Sequence, residues 1–126
     1  MTPGKKILLV DDQPQIRKVL SALLRREGYQ VIEADGGAAA VALTASERPD
    51  VILMDLEMPF MDGWEAAQLI KSAPETADVR IIAISGHDVF RGDASLFAST
   101  IAKPIPPELL LAELERHTGD PGAMLP

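Results

Sequence analysis

The chain has 126 residues, no cysteine, and 12 Lys and Arg against 19 Asp and Glu, for a net charge of −7. That length suits one domain, able to bury about two-thirds of its unfolded surface without a disulfide or a structural metal. The composition excludes thiol catalysis and Cys-based zinc sites, argues against direct binding to nucleic acid, and contains no apolar run of the ~18–20 residues a membrane span needs.

The first strand is read at Lys6–Val10 (KILLV). Its lead, MTPGKK, is followed by too short an apolar stretch for a signal peptide and then by acid, so the cytoplasm is the expected compartment. Ile16, Val19, Leu20, Leu23 and Leu24 recur at i, i+3, i+4, i+7 and i+8, which predicts a helix ending at Gly28. Gln30–Ala34 is a weaker second strand. Ala38, Val41, Ala42 and Ala45 form a second helical face ahead of Pro49. Asp50–Met54 reads as the third strand, and a third helix opens at Asp62 or Gly63, buries Ala66, Ala67 and Ile70, and stops before Pro74. Arg80–Ile84 is the fourth strand. A further helical segment should lead to a short fifth strand, Ser99–Ala102, inferred chiefly from its place before Lys103-Pro104. The last helix opens at Pro106–Pro107, carries Leu110, Leu111 and Leu114, and ends before Gly119.

The first, third and fourth strand runs are almost continuous Val, Ile and Leu, the mark of strands covered on both faces. Alternation with helices over residues 5–117 predicts a doubly wound α/β domain with a five-stranded parallel sheet and right-handed crossovers. The domain is set at residues 1–117, with the Gly- and Pro-rich 118–126 as a flexible tail.

Ligand sites of open α/β sheets lie at the carboxyl ends of the strands. Those ends carry Asp11 and Asp12, Asp55, Ser85 and Lys103. Three carboxylates in one cleft stay ionised near neutral pH only with cationic compensation. Lys103 supplies one charge. A hard divalent ion supplies the rest, Mg²⁺ by preference and Mn²⁺ as the alternative, since no Cys and no pair of convergent His is present. A carboxylate, Mg²⁺, a Lys and a Ser hydroxyl around one point suit phosphoryl transfer. Each element has an ordinary structural explanation as well: Asp-Asp as a helix cap before Pro14, Ser85-Gly86 and Met58-Pro59 as turns. It is their joint occurrence at successive strand ends that favours a site.

These residues resemble the receiver domain of two-component response regulators. ILLVDDQPQIR is similar to the family's first strand and acidic pair, VILMDLEMPFMDGWE to its D-x-x-M-P-x-x-D-G stretch, IIAISG to its fourth strand with Ser or Thr, and AKPI to its Lys-Pro. The resemblance covers residues 5–117 and implies a (βα)₅ flavodoxin-like three-layer sandwich. It implies that Asp55 accepts a phosphoryl group from a histidine kinase or a histidine phosphotransfer protein. It further implies that Asp12 ligates Mg²⁺ directly, Asp11 directly or through water, and that Asp55 and the backbone carbonyl of Glu57 complete the metal site. Lys103 would contact the phosphoryl oxygen and Ser85 would move to donate to it. Glu57 and His87, two positions beyond the acceptor and the Ser, would modulate phosphoryl lifetime. The domain would be no enzyme beyond its own phosphorylation and dephosphorylation. It would act on a downstream effector of unspecified identity, with no direct contact to nucleic acid or membrane.

Two departures stand out. The family's switch aromatic, three positions before the Lys, is here Thr100, and only 17 residues, Gly86 to Ala102, separate Ser85 from Lys103. The expected switch is therefore a backbone change in 86–99. The alternative within the family is a receiver belonging to a hybrid histidine kinase. Outside it, an aspartyl-phosphate phosphatase would want an Asp two positions after the nucleophile, where Glu57 stands, and an FMN carrier would not place Asp11-Asp12-Gln13-Pro14 against a phosphate. A pseudo-receiver scaffold would lack the acceptor, the acidic pair or the Lys.

Overall fold

The computed structural model describes residues 4–86 and 94–119. Five parallel strands, β1 (Lys6–Val10), β2 (Gln30–Ala34), β3 (Val51–Asp55), β4 (Arg80–Ser85) and β5 (Ser99–Ala102), form one sheet in the order β2-β1-β3-β4-β5. Among the described residues, four helices accompany them: α1 (Pro14–Arg26), α2 (Gly37–Glu47), α3 (Gly63–Ser72) and α4 (Pro107–Thr118). The expected doubly wound architecture is present. Between β4 and β5 the described part of the crossover is a single 3-10 turn, Ala94–Leu96; the expected helix falls largely on 87–93, outside the described residues. The tail expected at 118–126 lies mostly outside them too, with Thr118 closing α4.

Alternation along the strands sorts the core onto two faces. Leu8, Val10, Ile52, Met54, Ile81 and Ala83 meet Ala40 of α2 and Ala66, Ala67 and Ile70 of α3. Ile7, Leu9, Leu53, Ile82, Ile84 and Ile101 meet Leu24 of α1 and Leu110 and Leu114 of α4. Both faces are covered, which is why the three inner strands β1, β3 and β4 are apolar at nearly every position, while the edge strands β2 and β5 carry exposed polar residues. The strand order reverses direction between β1 and β3, and the crevice at that switch point is where such sheets take ligands.

Two expected helix faces are corrected. On α2 the buried residues are Gly37, Ala40 and Thr44, while Ala38, Ala42 and Ala45 are exposed. The run GAAAVALTA has almost no polar contrast, so its periodicity carried no reliable phase. Gly37 decides the phase instead: a Cβ there would lie 2.5 Å from the Met61 carbonyl oxygen, so only Gly permits this approach of α2 to the loop after β3. On α1, Val19 belongs to the expected apolar face but is 68% exposed. It lines an open groove of about 640 Å³ with Ile16, Leu20, Lys103, Pro104 and Ile105.

Candidate phosphoryl-acceptor site

Asp11, Asp12, Asp55, Glu57, Ser85 and Lys103 sit at the carboxyl edge of the sheet, while Thr100 lies within β5, opposite Ala83. Asp55 is the last residue of β3 and 1% exposed. Asp11 follows β1 and is 3% exposed, and Asp12 beside it is half-buried. Carboxylate oxygens of Asp11, Asp12 and Asp55 all lie within 4.8 Å of one another. Lys103, just after β5, places Nζ 3.3 Å from Asp55 Oδ2 and 4.0 Å from Asp11 Oδ2. The Lys103 backbone N–H donates to the Ser85 carbonyl at 2.9 Å, which ties the Lys to the end of β4, and the Lys103–Pro104 peptide is cis.

The backbone orients both buried carboxylates. The Glu57 N–H donates to Asp55 Oδ1 at 3.0 Å, and the Gln13 N–H donates to Asp11 Oδ1 at 2.9 Å. Burial pushes the Asp55 carboxyl above the usual carboxylate range, and the Asp11 charge adds to this; the Glu57 N–H and Lys103 only partly oppose it. Asp11 is raised in the same way, chiefly by burial, against the pull of the Gln13 N–H, Lys103 and Arg17. Arg17 also donates to the Asp11 carbonyl at 2.7 Å and pairs with Glu33 of β2 at 3.4 Å, so α1 is fastened to the rim of the site.

The loop after β3 explains the M-P-x-x-D-G string in local terms. Met58 is buried at 8% exposure. Asp62 caps α3, accepting from the Glu65 N–H at 2.9 Å while Glu65 Oε1 accepts from the Asp62 N–H at 3.2 Å. Gly63 is required because a Cβ there would lie 2.4 Å from the Asp55 carbonyl oxygen and 2.8 Å from Leu56 Cα. Phe60 adopts φ 67° and is fully exposed, a conformation that non-glycine residues seldom take.

Glu57 is placed as its sequence position suggests, but its side chain does something the sequence does not announce. Its Oε1 accepts from the Gly86 N–H at 2.8 Å and from Ser85 Oγ at 3.4 Å. Thr100 is exposed on β5, and the nearest described aromatic, Phe97, packs edge-on against Trp64 of α3 with centroids 5.1 Å apart. His87 lies outside the described residues.

The donor set is all oxygen, three carboxylates drawn to one point, and this chemistry fits a hard divalent ion such as Mg²⁺. Comparison with known proteins agrees with that geometry. The family model for the response regulator receiver domain matches residues 7–115. The chain belongs to this family. It is 39% identical over 103 residues to sporulation initiation phosphotransferase F of Bacillus subtilis, covering 80% of this chain and 83% of that protein. It is 39% identical over 83 residues to protein PilH of Pseudomonas aeruginosa, covering 66% of this chain and 69% of that one. Among solved structures, the receiver domain of a Pseudomonas aeruginosa sensor histidine kinase, with magnesium coordinated in its active-site cleft, superposes with a TM-score of 0.83 at 34% identity, over 93% of this chain and 99% of that one. With the larger PhoB regulator of Pseudomonas aeruginosa the match is 34% identity and spans 54% of that protein. The receiver is a phosphoacceptor domain of two-component signalling, and the acidic crevice fits that role.

Proposed function

We propose that Asp55 is the phosphoacceptor of this receiver and that the donor is a phosphohistidine on a histidine kinase or a phosphotransfer protein. The observation that carries this is a single one: a carboxylate 1% exposed at a strand end, within 4.8 Å of two other carboxylates and 3.3 Å from a lysine ammonium. An Asp55 carboxylate oxygen attacks phosphorus, the P–N bond to the donor imidazole breaks, and the imidazole leaves with the electron pair. Lys103 holds the acceptor carboxylate and then a phosphoryl oxygen. Ser85 donates its hydroxyl to another.

Asp11, Asp12, Asp55 and the Glu57 backbone carbonyl would hold Mg²⁺, with Mn²⁺ the alternative. When bound, the ion neutralises the carboxylates and the developing charge on the phosphoryl oxygens. Glu57, His87 and Thr100 are the positions proposed to tune lifetime and switching. The groove between α1 and the Lys103–Ile105 turn supports docking of a helix of the phosphodonor, because it is apolar and shares Lys103 with the acceptor crevice. The domain, set at 1–117, turns over no substrate other than its own phosphoryl group, contacts neither nucleic acid nor membrane, and works in the cytoplasm on a protein effector.

Incubation with Mg²⁺ and acetyl phosphate adds one hydroxylamine-labile phosphoryl group by intact mass. Asp55→Asn takes none. An equally labelled Asp55→Asn protein overturns the assignment.

A further inference from the structure

Ser85 Oγ and the Gly86 N–H are the donors at the end of β4, and in this structure a carboxylate already occupies them. Glu57 Oε1 lies 2.8 Å from the Gly86 nitrogen and 3.4 Å from Ser85 Oγ. A Cβ built on Gly86 would stand 3.7 Å from Glu57 Oε1 and 4.0 Å from Lys103 Cδ, so the Glu57 head and the Lys103 stem straddle this one glycine. The Glu57 backbone N–H, meanwhile, holds Asp55 Oδ1 at 3.0 Å. One residue therefore orients the acceptor with its main chain and covers the β4 donors with its side chain.

We infer that the Glu57 carboxylate is an internal placeholder for the phosphoryl group, which must displace it from Ser85 and Gly86 before the site can close. This inference rests on the acceptor role of Asp55. It goes further in naming Glu57 as a positioning residue that opposes phosphoryl binding by competing for donors rather than by charge alone. A tetrahedral phosphoryl and a carboxylate are both anionic oxygen acceptors, and charge-assisted bonds to either are similar in strength. The unphosphorylated state thus keeps Ser85 and Gly86 satisfied. The phosphorylated state must release Glu57 towards solvent, where it is already exposed.

Three variants separate donor competition from simple repulsion, and each keeps the main-chain groups of position 57. Glu57→Asp keeps the charge but is one methylene too short to span to Gly86. Glu57→Gln loses the charge but keeps an acceptor oxygen. Glu57→Ala loses both. The probe is beryllofluoride with saturating Mg²⁺, its affinity read by ¹⁹F NMR titration. Because Glu57 is solvent-exposed, the expected gain is about three- to tenfold in Glu57→Ala and Glu57→Asp alike, with a smaller gain in Glu57→Gln. The Gly86 amide resonance should also move in Glu57→Asp without beryllofluoride, since its acceptor is lost. Glu57→Asp indistinguishable from wild type in both affinity and Gly86 shift overturns the inference, as does weaker binding in Glu57→Ala. If wild type itself binds no beryllofluoride and takes no phosphoryl group, the acceptor assignment fails. If wild type binds and the Glu57 series is flat, only the placeholder fails.

Discussion

Replacing Asp55 by Asn keeps the shape of the side chain and removes one charge from the crevice. Asp55 has two carboxylate neighbours within 4.8 Å and one ammonium at 3.3 Å. At an effective dielectric of about 20, each like-charged neighbour at such a distance costs ~3.5 kcal/mol and the lysine returns ~5 kcal/mol. Two repulsions therefore outweigh one attraction, and the burial of a carboxylate that is 1% exposed adds to the imbalance. Asp12 is half-buried and Lys103 is reachable by solvent, so both contributions are screened and the net effect shrinks. The amide oxygen of Asn can still accept from the Glu57 N–H and from Lys103. Asp55→Asn should then stabilise the metal-free protein by about 1–2 kcal/mol, or roughly 3–10 °C in melting temperature for a domain of this size. The assay is a pair of thermal melts at neutral pH in EDTA. Adding Mg²⁺ at ten times its Kd should raise wild type by about 1.4 kcal/mol through mass action and narrow the gap. An Asp55→Asn protein that melts at or below wild type in EDTA refutes the reasoning.

The pH dependence follows from the same groups. Asp11 and Asp55 both titrate above their ordinary value of 3.8 when folded. An acid with a raised folded pKa contributes stability that is fully present below the unfolded pKa and lost as pH rises through the folded one. The advantage of an Asp11→Asn, Asp55→Asn double variant over wild type in EDTA should accordingly shrink as pH is lowered from neutral towards 3.8; a gap that does not change with pH contradicts the assignment of the shifts. Gly63→Ala should cost about 2–3 kcal/mol in urea unfolding, because its methyl would meet the backbone of Asp55 and Leu56, which cannot turn aside as a side chain can. An unchanged urea midpoint would mean that α3 shifts freely against β3.

The sheet was legible because parallel strands covered on both faces leave an unambiguous trace. KILLV, VILMD and RIIAIS are apolar at nearly every position, and turns or helix caps bound them. Asp11, Asp55, Ser85 and Lys103 could be gathered from distant positions for the same reason: the end of each strand was known, and parallel strands put all their carboxyl ends on one edge. The phase of α2 was not legible, since every position in GAAAVALTA would tolerate burial and a backbone approach at Gly37 made the choice. Val19 misled for the opposite reason. It completes an apolar stripe on α1, yet the stripe is wider than the sheet can cover, and the uncovered part lies beside Lys103. The Glu57 contact to Gly86 joins residues 29 positions apart through a rotamer choice, for which no pattern of residue types stands as a signal.

Within the crevice, anionic oxygens outnumber the described donors, and this imbalance links its stability to its chemistry. Asp11 and Asp55 share Lys103, while Glu57 holds Ser85 and Gly86. Asp55 is held ready by one N–H and one ammonium, yet its burial and the Asp11 charge raise the cost of its own charge. Groups in that position are relieved by any change that adds positive charge or removes negative charge, and a divalent cation held there, as proposed, would be such a change. The phosphoryl group then brings acceptors of its own and must take donors from those already using them. Lys103 can turn from Asp55 to a phosphoryl oxygen without leaving the crevice, since its ammonium already lies between two carboxylates at 3.3 and 4.0 Å. Ser85 and Gly86 can do so only if Glu57 lets go. On the proposed placeholder reading, the competition on the β4 side is where phosphorylation would do conformational work, and it lies at the start of the same 17-residue stretch before Lys103 that carries Thr100.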